Sequence, residues 1–395
     1  MIHSNRFQKL HHLLQGLKSY WMQAPFYDLS LDWQASNSEL SDAVLSLNDD
    51  EFHHLDSNPN VLAQYLSSHI PDYSDLESLL SLDQSTSDVS FPNRWSVGVP
   101  GRKWRQIQSF AAALRSPRGT NVDTFIDWCA GKSYLGRSLA AHHHLNLIAI
   151  ERNPELCNAG LAFKKPSVPN TQFICSDVLL EQQVFRSNDY VLALHACGDL
   201  HRTLLSQWRE SRSAQLALAP CCYHQWLEDG YQPLSKVGQS NDLAFNKTQV
   251  RLAVQEMVTS PERIRVQTKI LNQWRLAFDI LQREVRGCDE YMSTPSLPHS
   301  IVNTGFEEFV RRVSLDRGLT LPLQIDHEKY LRMGEQRFEK VQRLQLVNHG
   351  FSRAIELWMV LDLILFLEEG GCSVRLSEFC DRSLTPRNLL ITAWR

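Results

Sequence analysis

The sequence has 395 residues, of which 43% are hydrophobic and 21% charged, so the chain can bury one large core or two moderate ones and is not disordered. It lacks the run of roughly 20 apolar residues that a membrane-spanning helix needs, because Asp362 interrupts the longest candidate, Leu357 to Leu367. The net charge of −4 argues against a strongly basic, nucleic-acid-binding protein. That charge is uneven, since residues 1–90 carry −10 and the rest of the chain carries +6.

The first residues and the cysteines point to a cellular compartment. The opening segment MIHSNRFQKLHHLLQ is too polar for the apolar core of a secretory signal. Nine cysteines spread over a chain of this length are typical of thiols in a reducing compartment rather than of a disulfide framework. We therefore expect a cytoplasmic protein with no membrane partner, and the sequence does not indicate its oligomeric state.

The amino-terminal part shows apolar residues at helical spacing, for example Phe7, Leu10 and Leu14, and predicts a helical domain over residues 1–85. A linker and a basic helix follow over 86–120. Between Phe91 and Thr120 the chain carries six basic side chains, from Arg94 to Arg118, and no acidic one. This stretch is either a solvated helix face or a surface for an anionic partner.

From Asp123 the pattern changes to short apolar runs that alternate with helical segments. The runs are TFIDW, NLIAIE, TQFICSD, DYVLALHA and AQLALAP. Apolar runs without polar alternation are typical of strands buried on both faces, and their alternation with helices predicts parallel βαβ units. The sequence thus predicts an α/β fold with a doubly wound sheet over residues 121–225.

After the fifth strand the chain reads as mostly helical, with helices predicted over 246–258, 261–285 and 327–346, which makes 226–349 a helical insertion suited to substrate recognition. Residues 350–395 return to the sheet with a long apolar helix and the segments CSVRLSEF and LLITAW. The sheet is expected to be mostly parallel with an antiparallel last strand.

Carboxylates close the first three predicted strands. Asp127 ends the first strand before a turn containing Gly131, Glu151 ends the second, and Asp177 ends the third. In doubly wound sheets ligands bind at these strand ends, where a glycine turn and a helix N-terminus approach an adenosine-containing cofactor and an acid accepts its ribose hydroxyls. Asp177 could reach the adenine amino group.

The fourth and fifth strands end in residues with reactive side chains, grouped in LHACGDL and PCCYH. Three interpretations are open for them. A zinc site would use the His and Cys ligands, although the usual C-x₂₋₄-C spacing is missing, and we predict no metal. A histidine-activated cysteine nucleophile is chemically possible. A pocket that orients, and deprotonates, a nucleophile beside a methyl donor fits the surrounding loops best.

The segments IDWCAGKSYLGRSLA, LHACGDL, PCCYH and SLTPRNLLITAW together resemble the S-adenosylmethionine-dependent methyltransferase domain of a group of largely uncharacterised methyltransferase-like proteins. They are also similar to tRNA ribose 2′-O-methyltransferases with an H-x-C-G motif and a Cys-Cys-His-His run. The resemblance implies a Rossmann-like methyltransferase fold and S-adenosylmethionine as cofactor. Of the three alternating glycines usual in the first turn only Gly131 remains, with Cys129 and Ser133 in the other two places.

The resemblance also assigns residues to roles. The methionine part of the cofactor would be held by Asp127, Cys129, Ala130, Gly131, Lys132, Leu135 and Gly136. Glu151 would hold its ribose and Asp177 its adenine. The residues that would face the substrate are His195, Cys197, Asp199, Cys221, Cys222 and His224, with His195 or Asp199 as the base. Lys103, in GRKWRQI, would lie near the cofactor or an anionic substrate.

The leading hypothesis is therefore a methyltransferase that acts on an oxygen or nitrogen of RNA, either tRNA or rRNA, with a protein or small-molecule substrate as alternatives. A second hypothesis is a non-catalytic RNA- or protein-binding module on a degenerate methyltransferase fold, motivated by the lost glycines and the basic stretch. A nicotinamide-dependent oxidoreductase is the third, but the sequence lacks G-x-G-x-x-G.

Overall fold

The computed structural model describes residues 2–84, 89–117, 119–163, 166–254 and 262–395. Seven strands form one sheet: β1 Thr124–Trp128, β2 Asn146–Glu151, β3 Thr171–Cys175, β4 Asp189–Cys197, β5 Gln215–Cys221, β6 Ser373–Glu378 and β7 Leu389–Trp394. The helices before the sheet are α1 Ile2–Gly16, α2 Lys18–Met22, α3 Asp32–Ser36, α4 Ser38–Leu45, α5 Asp49–Ser57, α6 Pro59–Ser67, α7 Tyr73–Ser78 and α8 Gly101–Ala113. Those that follow are α9 Tyr134–His143, α10 Pro154–Ala162, α11 Asp199–Glu210, α12 Lys236–Ser240, α13 Lys247–Leu252, α14 Glu262–Arg286, α15 Phe306–Arg317, α16 His327–Gly350 and α17 Ser352–Glu369.

The strand order is β3-β2-β1-β4-β5-β7-β6. The first five strands are mutually parallel, and β7 runs antiparallel to both of its neighbours. This confirms the predicted Rossmann-like α/β sheet with its antiparallel end. The chain order reverses between β1 and β4, and ligands of open α/β sheets bind beside such a reversal, outside the carboxyl ends of the strands.

Burial explains why the apolar runs became strands. Every residue of β1 and of β5 is buried, whereas β3, at the edge of the sheet, is mostly half-exposed. The core on one side of the sheet includes Phe110 of α8, Leu139 of α9 and Phe379 after β6. Basic helix α8 is thus partly a core helix, and its charged residues occupy the outer positions.

One buried carboxylate of the sheet unit is hydrogen-bonded through both of its oxygens. Asp362, in the middle of the apolar helix α17, is fully buried and accepts hydrogen bonds from Tyr231 Oη at 2.8 Å, Leu234 N at 2.9 Å, and Ser235 N at 2.9 Å and Oγ at 2.7 Å. The aspartate that interrupts the apolar run therefore fixes the segment after β5 to α17. In the described part of the chain no helix combines the length and hydropathy of a membrane span.

The chain divides into two compact units, each built from segments that are distant in sequence. Unit 1 comprises Met1–Gln15, Leu76–Gln255 and Ser352–Arg395, and unit 2 comprises Gly16–Asp75 and Glu256–Phe351. In unit 2 the long helix α16 packs on amino-terminal helices, with hydrogen bonds from Asn348 Nδ2 to Gln23 O at 2.8 Å and from Arg343 Nη2 to Asp49 Oδ1 at 2.9 Å.

The predicted helices of the insertion differ from the observed ones mainly at their ends. Instead of 246–258 and 261–285, the structure has α13 and α14, and α16 extends four residues past 346. Residues 255–261 lie outside the described part, as do linker residues 85–88, Arg118 and Lys164.

Candidate active site

The turn after β1 is organised by Asp127, which is only 3% exposed. Its Oδ2 accepts a hydrogen bond from Ser133 Oγ at 2.6 Å and another from Gly136 N at 3.0 Å. Burial raises the pKa of this carboxyl to about 6, against the lowering effect of the two hydrogen bonds and of Lys103. The buried Asp127 therefore fixes the conformation of the turn through its hydrogen bonds to Ser133 and Gly136.

The three turn positions that usually carry glycine share one backbone conformation. Cys129, Gly131 and Ser133 have φ of 54°, 59° and 56°. This left-handed region costs a side-chain-bearing residue roughly 1–2 kcal/mol, which explains why related turns use glycine. Ser133 is fully buried, and its hydroxyl bond to Asp127 offsets part of that cost. Gly136 is needed for a different reason, namely space: a Cβ at this position would clash with Asp127 Cβ and Leu147 Cδ1, each 2.7 Å away.

A pocket of about 170 Å³ lies at the carboxyl ends of the first three strands. The residues that line it are Cys129, Ile150, Glu151, Arg152, Ser176, Asp177, Val178, Leu200 and Trp226. Of the predicted cofactor-binding residues, the pocket therefore brings together Cys129, Glu151 and Asp177. The other predicted residues do not line it: Asp127 lies in β1, Ala130, Gly131 and Lys132 lie in the turn after β1, and Leu135 and Gly136 lie in α9.

Glu151 ties the turn to the end of β2. Its Oε2 accepts from Gly131 N at 2.8 Å, and its Oε1 accepts from Asn153 N at 2.9 Å. A carboxylate has about four acceptor sites, so both oxygens keep lone pairs for further donors such as a pair of hydroxyls. The backbone bonds fix the direction in which those lone pairs point.

Trp226 forms part of the pocket wall, a role that the sequence did not predict. It is 48% exposed with φ of 66°, and the guanidinium of Arg152 lies 5.7 Å from its ring centre. Arg152 also approaches Asp177, with 3.5 Å between Nη1 and Oδ2. An exposed indole beside the apolar side chains of Val178 and Leu200 suits a flat aromatic ligand.

The end of β4 presents His195. A bulge between Leu194 and Ala196 interrupts the pairing with β5, and His195 there has φ of 65°. Its Nε2 lies 2.9 Å from Gln106 Oε1, while Gln106 Nε2 donates to Leu384 O at 3.3 Å. Because the amide oxygen can only accept, this network places the imidazole proton on Nε2 and leaves the lone pair on Nδ1.

Burial, followed by the positive charge of Arg387, lowers the pKa of His195 to about 4. Lys103 adds to this effect, and Cys222 opposes it. The ring is therefore neutral at pH 7, and its free nitrogen can accept a hydrogen bond or a proton.

Three thiols meet where β4 and β5 end. The sulfurs of Cys197 and Cys221 are 3.4 Å apart, and those of Cys197, Cys221 and Cys222 all lie within 4.8 Å of one another. Hydrogen bonds from Cys197 and Cys221, and then the positive charge of Arg387, hold the pKa of Cys222 well below its usual value in spite of burial. Hydrogen bonding to the other two thiols raises the pKa of Cys221.

Gly198 lets the two strand ends approach. Its φ is 53°, its N donates to Cys221 O at 3.0 Å, and a Cβ on it would lie 2.0 Å from Gln225 O. Asp199 N and Gln225 N extend the link by donating to Gln225 O at 3.3 Å and to Cys222 O at 2.9 Å. LHACGDL and PCCYH are thus held together by backbone hydrogen bonds that tolerate no side chain at the glycine.

The two remaining predicted residues have other surroundings. Asp199 lies at the start of α11, and its Oδ1 is 3.2 Å from Arg202 Nε. His224 is half-buried, and the charges of Cys222, Arg251 and Arg387 act on its ring, although burial is the main reason why its pKa is lowered. Arg202 pairs with Asp199, but burial outweighs that charge and raises the pKa of the carboxyl, so Asp199 is a second candidate for the base beside His195.

Sequence reasoning missed Gln106 and Arg387. Gln106 lies on α8, and Arg387 lies in the loop between β6 and β7, where its Nη2 donates to Val254 O at 3.0 Å. Both belong to segments that the resemblance covered, GRKWRQI and SLTPRN, but only the folded chain places them beside His195. Arg102 Nε, which donates to Leu384 O at 2.6 Å, helps to join these two segments.

Strain is concentrated at this site. In the described part of the chain eight residues other than glycine have positive φ, and five of them lie in the site: Cys129, Ser133, His195, Cys222 and Trp226. Such conformations persist only where the surrounding structure imposes them, and they cluster at functional sites. His195 lies near the carboxyl end of β4 and the other four follow β1 or β5, at the edge of the sheet where ligands of this fold bind.

Comparison with known families agrees with this location. Residues 102–229 match a family described as a methyltransferase domain, a match that begins within α8 and ends just after PCCYH. It covers about a third of the chain and includes the pocket, the turn after β1 and the His/Cys cluster. No curated protein is significantly similar to the chain. The match supports methyl transfer as the general activity of this region.

Proposed function

We propose that this chain is an S-adenosylmethionine-dependent methyltransferase that transfers the methyl group to an oxygen or nitrogen of RNA. The observation that carries the proposal is the pocket of about 170 Å³ lined by Glu151, Asp177 and Trp226, beside the strand ends that carry His195. When bound, S-adenosylmethionine supplies a methyl group already activated by the adjoining sulfonium. The protein then has mainly to align the acceptor.

The pocket residues match the parts of an adenosine. Glu151 keeps lone pairs for the two ribose hydroxyls, Asp177 can accept from the adenine amino group, and the Trp226 ring can stack on the base. Cys129 follows β1, which lies between β2 and β4 in the sheet. It therefore continues the pocket wall from Glu151 toward the ends of β4 and β5. The methionine end of the cofactor would therefore lie toward His195.

His195 is the group best suited to receive a proton from the acceptor. Gln106 holds its tautomer with the lone pair on Nδ1, so the ring can take the proton of an incoming hydroxyl as the new bond forms. Gln106 acts through His195 and is a positioning residue. A nucleophile that is already unprotonated would need only the alignment.

Positive charge around His195 supports an anionic substrate. Lys103 and Arg387 act on His195, and Arg251 acts on His224. RNA supplies phosphates beside both ribose hydroxyls and base nitrogens, and binding to it depends strongly on such cations. The resemblance of LHACGDL and PCCYH to motifs of tRNA ribose 2′-O-methyltransferases is a second reason to propose RNA. Assigning residues 226–349 to substrate recognition remains part of the proposal.

The test is transfer of labelled methyl from S-adenosylmethionine to total RNA by the full chain. We expect label in RNA and a loss of at least about 100-fold in rate with His195→Ala, the range that general-base groups contribute. Glu151→Gln should raise KM for the cofactor by about tenfold or more, since one charge-assisted hydrogen bond contributes about 1.5–3 kcal/mol. The matched control, Glu155→Gln, changes an exposed glutamate four residues away and should leave KM unchanged.

Two outcomes separate the parts of the proposal. Label recovered in protein or in a small molecule, with none in RNA, would refute the substrate class and leave the cofactor assignment intact. RNA binding that weakens with salt and is indifferent both to cofactor and to His195→Ala would instead favour the non-catalytic module.

A further inference from the structure

The three thiols at the ends of β4 and β5 form a site that neither the resemblance nor the family match assigns. We propose that Cys197, Cys221 and Cys222 bind a thiophilic divalent ion, with zinc as the ion to test. The proposal does not depend on methyl transfer, because the ion can be measured without cofactor or substrate.

The spacing of the sulfurs fits one ion. Zinc binds thiolate sulfur at about 2.3 Å in tetrahedral geometry, which places two ligand sulfurs about 3.8 Å apart. The sulfurs of Cys197 and Cys221 are 3.4 Å apart, and all three sulfurs lie within 4.8 Å of one another. Changes of up to about 1 Å in these separations, within the reach of side-chain rotation, would centre an ion among them.

The backbone explains how adjacent cysteines can share an ion. Successive residues of a strand point to opposite faces, so a regular strand would separate the side chains of Cys221 and Cys222. Cys222 instead has φ of 45°, which ends the alternation and turns its sulfur toward Cys197. In the sequence, the missing C-x₂₋₄-C spacing and the adjacent cysteines argue against a metal, whereas in the folded chain the ends of two neighbouring strands bring the three sulfurs together.

The surroundings suit a thiolate-bound ion. Three thiolates around one divalent cation carry a net charge of −1. Arg387 lies close enough to act on both Cys197 and Cys222 and can balance that charge. The buried Nδ1 of His224, two residues after Cys222, has no hydrogen-bond partner among the described residues. An unpaired buried polar atom calls for an explanation, and a ligand bound beside it would provide one.

Backbone hydrogen bonds preorganise the cluster. Gly198 N donates to Cys221 O at 3.0 Å, and Gln225 N donates to Cys222 O at 2.9 Å. The loops that carry the thiols are therefore fixed before an ion arrives, as a specific metal site requires. Soft thiolate ligands favour ions such as zinc over magnesium or calcium, whose preferred ligands are oxygens.

The experiment measures metal in the full chain, purified under reducing conditions without added chelator. We expect about one zinc per chain by elemental mass spectrometry. Cys197→Ser and Cys222→Ser should each lower zinc affinity at least about tenfold in competition with a chromogenic chelator. The control Cys288→Ser replaces a half-buried free cysteine outside the cluster and should retain the zinc.

A second measurement does not depend on whether the variants fold. Cobalt(II) added to the reduced, metal-free wild type should produce a near-ultraviolet sulfur-to-cobalt absorption that saturates at one equivalent and disappears when zinc is added. The proposal is overturned if the zinc-treated wild type retains less than about a tenth of an equivalent and shows no such band with cobalt. Recovery of Cys197 and Cys221 joined as a disulfide after alkylation before lysis would overturn it as well.

Discussion

Replacing Asp127 by asparagine tests whether this residue acts as a buried organiser of the turn after β1. Asparagine has nearly the same shape and keeps an oxygen that can accept from Ser133 Oγ and Gly136 N, so the local structure should persist. What the substitution removes is the carboxyl proton equilibrium. In the folded chain burial raises the pKa of Asp127 from 3.8 to about 6.

The sign and size of the effect follow from that difference. The unfolded chain releases the proton near pH 3.8, whereas the folded chain keeps it up to about pH 6. The folded state therefore binds more protons between these values, and the contribution of Asp127 to stability falls as pH rises through this window. The full change is about 3 kcal/mol, at about 1.4 kcal/mol for each pH unit of difference.

The assay is urea unfolding followed by tryptophan fluorescence at several pH values between 4 and 8. Relative to wild type, Asp127→Asn should gain about 3 kcal/mol of unfolding free energy between the two ends of that range. Asp123→Asn, an exposed aspartate just before the same strand, should track the wild type. Parallel curves for Asp127→Asn and wild type would refute the interpretation of Asp127 as a carboxyl protonated by burial.

Two further predictions concern packing. Gly198→Ala should cost at least about 3 kcal/mol, because its Cβ would lie 2.0 Å from Gln225 O, whereas Gly131→Ala, with φ of 59° but no described heavy atom within 4 Å of its Cβ, should cost only about 1–2 kcal/mol. Equal losses of melting temperature would contradict this distinction. Glu356→Gln should cost about 1.5–3 kcal/mol in urea unfolding, since it removes the charge from a hydrogen bond of 2.6 Å to Arg353 while Glu378 still pairs with that guanidinium, and a loss below about 1 kcal/mol would show the pair to be dispensable.

The sheet and much of the site could be predicted because their signals are local. Each buried strand is a short apolar run. Because the strands are parallel neighbours, the residues that end them lie side by side at one edge of the sheet. Glu151 and Asp177 therefore meet in one pocket, and His195 meets the cysteines, as expected from strand ends alone. The antiparallel last strand could be predicted because strand patterns return in residues 350–395, after the helical insertion.

The features that the sequence did not predict depend on contacts between segments that are distant along the chain. Gln106 fixes the tautomer of His195 across 89 positions, and no pattern around either residue signals that bond. The division of the amino-terminal helices between two units likewise depends on what each helix packs against. α16 supplies that surface for residues near Gln23 and Asp49, which lie 325 and 294 positions before their partners. The positive φ of Cys222, which brings three thiols together, is also absent from local propensity.

The most direct test of the central claim is calorimetric titration of S-adenosylmethionine into the full chain. We predict saturable binding at one site per chain, weakened about 10- to 100-fold by Trp226→Ala, because stacking of one base on an aromatic ring contributes about 1–3 kcal/mol. The absence of binding at millimolar cofactor, with a wild-type protein that unfolds cooperatively, would contradict the assignment of the pocket and with it the proposed methyl transfer.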